Sequence, residues 1–445
     1  MNNKELIEED AQRICESIKI RIGPMVAEEG DGVYLYDAEG NEFIDFTANW
    51  AVANTGYSHP KIVKSISEQA EKNTFASYPT VISSPAVKLS KKLSEYMPGD
   101  FEKKVWFGLS GSDANDYVSK IIPQATNRRR IVSYFGAYHG QTMGSLSMSG
   151  HTAQARFVGH GNVVKVPFPY CYRCAFNEEY DSCDLLCLKY IENEVFKTIC
   201  PPQDTAAIVV EALQCDGGDV PAPPTYFQEL RDLCDRHGIL LIFDEVKIGI
   251  GRTGEFFGFE HYDVIPDAVV FGKPIASGLP FSGVIARKDI MDKSLPASHL
   301  FTTGANPISA SAGLATLEVI EEENLTENAA DIGEYLMDVL MDLKERHEII
   351  GDVRGKGMTI GVELVKDEET KKPAPKETAM TTISAYEHGL LVFYVGVHSN
   401  VLEITPPLVM DKEEAQKGLE KLEDALNAVE QGRVDEKLLE KYAGW

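Results

Sequence analysis

Apolar positions along the chain fall into distinct patterns. Residues 31–46, DGVYLYDAEGNEFIDF, alternate apolar and polar on either side of a Glu39-Gly40-Asn41 turn. Alternation broken by a Gly-bearing turn predicts a β-hairpin. From about residue 60 to 300 the pattern changes to short unbroken apolar runs separated by stretches of helical period. The runs are RIVSYF, AAIVVEA, ILLIFDE and DAVVFGK. Such runs alternating with helices predict βαβ units and a mainly parallel sheet. Beyond Asn306-Pro307, ISASAGLATLEVIEEENL reads as a long helix and the remainder as shorter α+β elements. The expected fold class is α/β. A large unit over 59–305 carries helices on both faces of the sheet, and 1–58 with 306–445 build a smaller α+β domain.

A parallel α/β sheet places its chemistry at the carboxyl ends of its strands. Three runs end in chemically loaded residues: IVVEALQCDGG in Glu211 and Asp216, LLIFDEV in Asp244, and VVFGK in Lys273. Singly, each reads equally well as a polar strand end. Together they predict one site at one sheet edge. Lys273 is either an exposed amine with a buried stem or a desolvated amine of lowered pKa, the kind that forms Schiff bases. An imine-forming lysine with a buried aspartate partner is the arrangement pyridoxal phosphate requires. A phosphate needs backbone N–H groups at a helix start, and FGLSGSDANDYVSK supplies Ser110, Gly111 and Ser112. YFGAYHG adds Tyr138, an aromatic able to stack on a cofactor ring or to fill the core.

Charge narrows the partners. The 445 residues hold 69 acidic and 43 basic side chains, a formal charge of −26. That argues against a nucleic-acid or anionic-membrane partner. No apolar run approaches the roughly 18 residues of a membrane-spanning helix, and the polar, acidic first residues do not look like a signal peptide. The expectation is a cytoplasmic enzyme. Of eight cysteines, four cluster as Cys171, Cys174, Cys183 and Cys187. Their spacing is compatible with a closed tetrahedral zinc site, with reduced thiols and disulfides as the competing readings.

Over nearly its whole length the chain resembles the class III aminotransferases, fold-type I pyridoxal-phosphate enzymes. The resemblance is carried by GYSHP, SGSDAN, GAYHG, the long block LLIFDEVKIGIGRTGEFFGFEHYDVIPDAVVFGKPIASGLP, TTGANP, GDVRGKGMTIGVEL and ITPPL. It implies Lys273 as the Schiff-base lysine, Asp244 as partner of the pyridine nitrogen, Val246 beneath the ring and Tyr138 above it. It implies Ser110, Gly111 and Ser112 as the phosphate loop, and Thr302 as a phosphate ligand given to the neighbouring subunit of a homodimer, which itself can assemble further. Lys247 stands where the family usually has glutamine.

Two further departures bear on the reaction. Asp216 replaces the glutamate that family aminotransferases carry after the Glu-Pro-x-Gln strand end, and Glu403 replaces their substrate-binding arginine before Pro-Pro-Leu. A carboxylate at 403 is expected to repel a substrate carboxylate, which favours an α-carboxamide or lactam. Both features resemble the racemases of this family that act on α-amino lactams, as do SMSGHT, the DEVK variant and the terminal YAGW. The family's amino-acid racemases share the aspartate. Transamination needs one base on one face, whereas racemisation needs a second acid/base opposite the lysine. Lys273 and Asp216 are therefore the expected catalytic pair, with Asp-Gly-Gly turn chemistry competing for Asp216. Trp50 and Tyr394 join Glu403 as expected substrate-pocket residues, a core role competing for Trp50. The expected activity is racemisation at Cα of an α-amino lactam, amide or acid, and amino transfer to a keto acid is the alternative.

Overall fold

The computed structural model describes residues 1–151 and 162–442. Thr152 of the SMSGHT stretch and the terminal Ala443, Gly444 and Trp445 lie outside the described residues. The four apolar runs form neighbouring strands of a seven-stranded sheet. Its order is Lys103–Gly108, Ser282–Arg287, Ala268–Phe271, Leu240–Asp244, Thr205–Val210, Arg130–Tyr134, Val163–Val166. Pairing is parallel throughout except at Ser282–Arg287, which runs antiparallel to both neighbours.

Thr205–Val210 and Ala268–Phe271 are buried at every position, because successive side chains enter different cores. Ile208 and Val210 join Val132, Phe243 and Phe271 on one face. Ala207 and Val209 join Ile131, Ile242 and Val270 on the other, beneath Ala114, Val118 and Ile121 of helix Gly111–Thr126. Each such apolar side chain contributes about 1.5–3 kcal/mol on burial. Strands covered on both faces are thereby anchored firmly enough to hold charged groups at their ends.

Tyr34–Asp37 and Glu42–Asp45 form the predicted hairpin, with Leu35 opposite Phe43 and Gly40 at φ +82° in the turn. Leu390–Leu391 pairs in parallel with Glu42–Asp45, so segments far apart in the chain share one sheet. A separate antiparallel sheet holds Ile350–Lys356, Thr359–Leu364, Val401–Ile404 and Phe393–Val395. The helix expected after Asn306 spans Pro307–Glu322, and Asn306 Oδ1 accepts from the N–H groups of Ile308 and Ser309 at 2.8 and 3.3 Å. Among the described residues no helix is long and apolar enough to cross a membrane.

Candidate active site

A cavity of about 310 Å³ opens where the carboxyl ends of Leu240–Asp244 and Ala268–Phe271 face the start of helix Gly111–Thr126. Ser110 Oγ caps this helix by accepting from the Asp113 N–H, and the Asp113 carboxylate accepts from the N–H groups of Leu109 and Ser110 at 3.2 Å. The N–H groups of Gly111 and Ser112 fall in the first turn, which has no intrahelical acceptor for them. With the helix dipole they form an anion seat on the cavity wall. A Cβ on Gly111 would lie 2.5 Å from Val246 Cγ1, so glycine is what lets the loop meet the cavity floor.

Asp244 ends its strand with a carboxylate that is only 4% exposed. Its Oδ2 accepts from Asn115 Nδ2 and meets His139 Nδ1, both at 2.7 Å, and its Oδ1 accepts from the Val246 N–H at 3.0 Å. Three contacts from three segments fix the plane of the carboxylate and hold it toward the cavity. Asn115 is not part of the sequence-derived site, and His139 enters it only beside Tyr138 in YFGAYHG, without a role. Signals for both existed: Asn115 lies one helical turn past Gly111, on the same face, and His139 follows Tyr138.

Lys273 lines the same cavity. Burial lowers its pKa, the Lys247 ammonium lowers it further, and the carboxylates of Asp216 and Glu403 oppose the shift. An amine so placed is a better nucleophile and base at neutral pH than a surface lysine. Asp216, Tyr138 and Glu211 also line the cavity. Burial, then the negative charge of Asp216, raises the Tyr138 phenol. Glu211 is raised well above the usual range, by burial first and then by Asp244 and Asp216, and its Oε2 has no hydrogen-bond partner among the described residues.

Glu403 does not stand as a lone charge. It is fully buried in Val401–Ile404, and its Oε1 accepts from Lys247 Nζ. The expected repulsion of a substrate carboxylate is therefore corrected: Lys247, which lines the cavity, lies beside the Glu403 charge and matches it. Lys247 Nζ also sits 5.4 Å from the centre of the Trp50 ring, which packs 4.7 Å from Phe393. Trp50 belongs to four successive left-handed residues, Ala48 to Ala51, with φ from 41° to 64°. Left-handed backbone costs about 1–2 kcal/mol per residue, and such strain concentrates at functional sites. Asp219, also left-handed at φ 50°, was missed entirely. It is fully buried, both its oxygens lack hydrogen-bond partners among the described residues, and burial followed by the Glu403 charge raises its pKa well above the usual range.

Tyr394 is corrected from a pocket residue to a core one: it is 2% exposed, packs in the main core cluster and is absent from the cavity wall. Thr302 lies exposed, its carbonyl accepting from Ser77 Oγ at 3.4 Å, and it does not line the cavity of its own chain. The four clustered cysteines surround a gap of about 20 Å³ among Phe168, Phe176 and Leu185. Among the described residues no group of three or more His, Cys, Asp or Glu is placed to hold a metal ion. The zinc expectation is therefore corrected to free thiols.

The remaining pieces fit pyridoxal phosphate: an anion seat, a carboxylate fixed beneath it in the fold, an apolar floor at Val246 and an amine of lowered pKa. A model of the class III aminotransferases matches residues 19–426. An alanine/serine racemase from Pyrococcus horikoshii is 44% identical, the match covering 98% of this chain and 93% of that protein. A leucine/methionine racemase from Thermococcus litoralis is 41% identical, with both chains fully covered. Among solved structures, an aminotransferase from Bacillus anthracis superposes with a TM-score of 0.87 at 31% identity, over 95% of this chain and 98% of its own.

Proposed function

The chain belongs to the class III aminotransferase family of pyridoxal-phosphate enzymes, and on that footing we propose that it inverts the configuration at Cα of an α-amino acid, amide or lactam. The observation that carries the reading is that Asp216 and Lys273, a carboxyl group and an amine, both line one cavity. The racemase relatives support it.

When bound, pyridoxal phosphate supplies an electron sink that weakens the Cα–H bond of an amine joined to it. Ser110, Gly111 and Ser112 hold its phosphate, and Asp244 keeps the proton on its ring nitrogen, steadied by His139 and Asn115. Lys273 Nζ takes the α-proton of one enantiomer while the Asp216 carboxyl delivers a proton to the opposite face. The reverse assignment serves the other enantiomer. One proton leaves carbon and one arrives, so no keto acid is consumed. Trp50 packs beside Lys247 but is not among the residues that line the cavity of its own chain. Thr302 serves the phosphate of a second copy, which makes the working unit a homodimer.

Incubating the holoenzyme with one enantiomer in heavy water, without a keto acid, tests this reading. The expected result is loss of optical rotation with deuterium at Cα. Conversion of the cofactor to its amine form, with turnover only after a keto acid is added, would establish amino transfer instead. That second reading is favoured by the solved aminotransferase that superposes on this chain.

A further inference from the structure

The stretch GDVRGKGMTIGVEL supplies Arg354 and Glu363, neither of which lines the cavity. Asp216 does line it, from residues 215–219, the turn that joins Leu213–Gln214 to Val220–Pro221. We infer that Arg354 is a positioning residue for Asp216: by clamping this turn at Gly218 it fixes where the Asp216 carboxyl stands relative to Lys273. The inference rests on the proposed use of Asp216 as the second acid/base, and it deepens that reading.

The clamp carries the argument. Arg354 Nε and Nη2 both donate to the Gly218 carbonyl, at 2.9 and 2.6 Å. Nη1 donates to Asp352 Oδ2 and pairs with Glu363 Oε2, each at 2.7 Å, and the guanidinium lies 4.8 Å from the centre of the Tyr170 ring. Contacts on three sides hold the rigid fork in one orientation. Glu363 is fully buried and also accepts from Arg173 Nε and the Tyr170 hydroxyl. Arg173 already matches the Glu363 charge, so neutralising that carboxylate does not explain two Arg354 donors given to one neutral carbonyl. The turn needs such a hold. Gly218 has φ +119°, and a Cβ there would stand 2.9 Å from Arg354 Nη2. Asp219 follows at φ 50°, a left-handed conformation that persists only where its surroundings impose it. The Asp216 carbonyl accepts from the Gly396 N–H at 3.0 Å. Arg354 stands in Ile350–Lys356 and Gly396 follows Phe393–Val395, both strands of the separate antiparallel sheet. Lys273 follows Ala268–Phe271 of the seven-stranded sheet. Asp216 is thus braced from a sheet other than the one that delivers Lys273.

The test runs the holoenzyme in heavy water and separates α-hydrogen exchange from inversion. A proton that passes from Cα to Lys273 Nζ joins two deuterons there, and the C–H electron pair passes to the sink that the cofactor supplies. A deuteron returned from Nζ gives exchange with retention; one delivered by Asp216 gives inversion. Asp216→Asn identifies the enantiomer that keeps exchanging. With that enantiomer, Arg354→Met is expected to slow inversion by about 10- to 100-fold, the range of a lost charged hydrogen bond or a shift near 1 Å. Exchange should slow by less than about threefold, because Lys273 is untouched. Arg354→Lys keeps the charge and loses the fork; it should raise the ratio of exchange to inversion in the same direction, and it decides the matter if Arg354→Met does not fold. In the Asp216→Asn background, Arg354→Met should cost less than about twofold more. A second readout needs no turnover. Besides burial, Lys247 lowers the Lys273 pKa, and Asp216, Glu403 and Cys215 raise it. Displacing Asp216 lowers it further, so apoprotein carrying Arg354→Lys or Asp216→Asn should capture pyridoxal phosphate with a midpoint at lower pH. Equal loss of exchange and inversion, additive losses in the double variant, or an Arg354→Lys midpoint that stays or rises overturns the inference. Wild-type protein that exchanges without inverting would count against the proposed activity and leave the midpoint result intact.

Discussion

Two regions of the chain concentrate reactive side chains, and they have met opposite fates. At the sheet edge, Lys273, Asp216, and Asp244 together with Lys247 arrive from three strand ends and converge on one cavity. In the segment after Phe168, four cysteines close together in sequence enclose a gap a fifteenth as large and remain free thiols. Charge is the difference. At the edge Asp244 is held by His139 and Asn115, and Lys247 by Glu403. Around the cysteines the lining is largely apolar, with Phe168, Phe176 and Leu185. Density of reactive residues in sequence does not make a site; a scaffold that compensates their charges does.

Lys273→Ala tests the contrast most severely. Racemisation should fall by about 10²–10⁴-fold, the range of a lost acid/base, and borohydride should no longer fix a pyridoxyl label at this position. A labelled, active Lys273→Ala protein would move the site elsewhere. Asp216→Asn should cost about 10²-fold in racemisation while the cofactor's absorption spectrum stays as in the wild type; normal racemisation would show that the second base is another group. Asn115→Leu removes one of the bonds holding Asp244, and a turnover loss of about tenfold is expected from a bond to a charged group. Unchanged turnover would show that His139 and the Val246 N–H suffice.

A pH measurement sharpens the comparison further. The Lys273 pKa is lowered by burial and then by Lys247, so its neutral amine exists at lower pH than that of a free lysine. Lys247→Met, best made with Glu403→Leu to avoid a stranded carboxylate, removes a like charge. Lys247 acts on Lys273 more strongly than Glu403 does, so the Lys273 pKa should then rise. Capture of added pyridoxal phosphate by the apoprotein should reach its midpoint at higher pH, and a downward shift would refute the ordering of these charges. The smallest effect belongs to the other region. Replacing Cys171, Cys174, Cys183 and Cys187 together by serine should leave turnover within about twofold, because surface changes away from a site rarely alter it. Stoichiometric zinc in the purified wild type, by elemental analysis, would reverse the contrast.

The fold was legible because its signals are local. RIVSYF, AAIVVEA, ILLIFDE and DAVVFGK became neighbouring strands, and the hairpin around Gly40 formed as its alternation predicts. Lys273, Asp244 and Asp216 were visible for the same reason, as polar residues ending apolar runs. Tyr394 was misplaced because one aromatic in VFYVG looks the same whether it faces a cavity or a core. Glu403 was misjudged because its partner lies 156 positions away and no local pattern joins the two.

The sequence by itself determined which residues end the strands and which family's chemistry they match, since periodicity and motif spacing are written along the chain. Only the tertiary structure decided how the charges pair. Electrostatic partnership depends on distance and burial in space, and Lys247 and Glu403 become one unit only after two sheets have packed against each other.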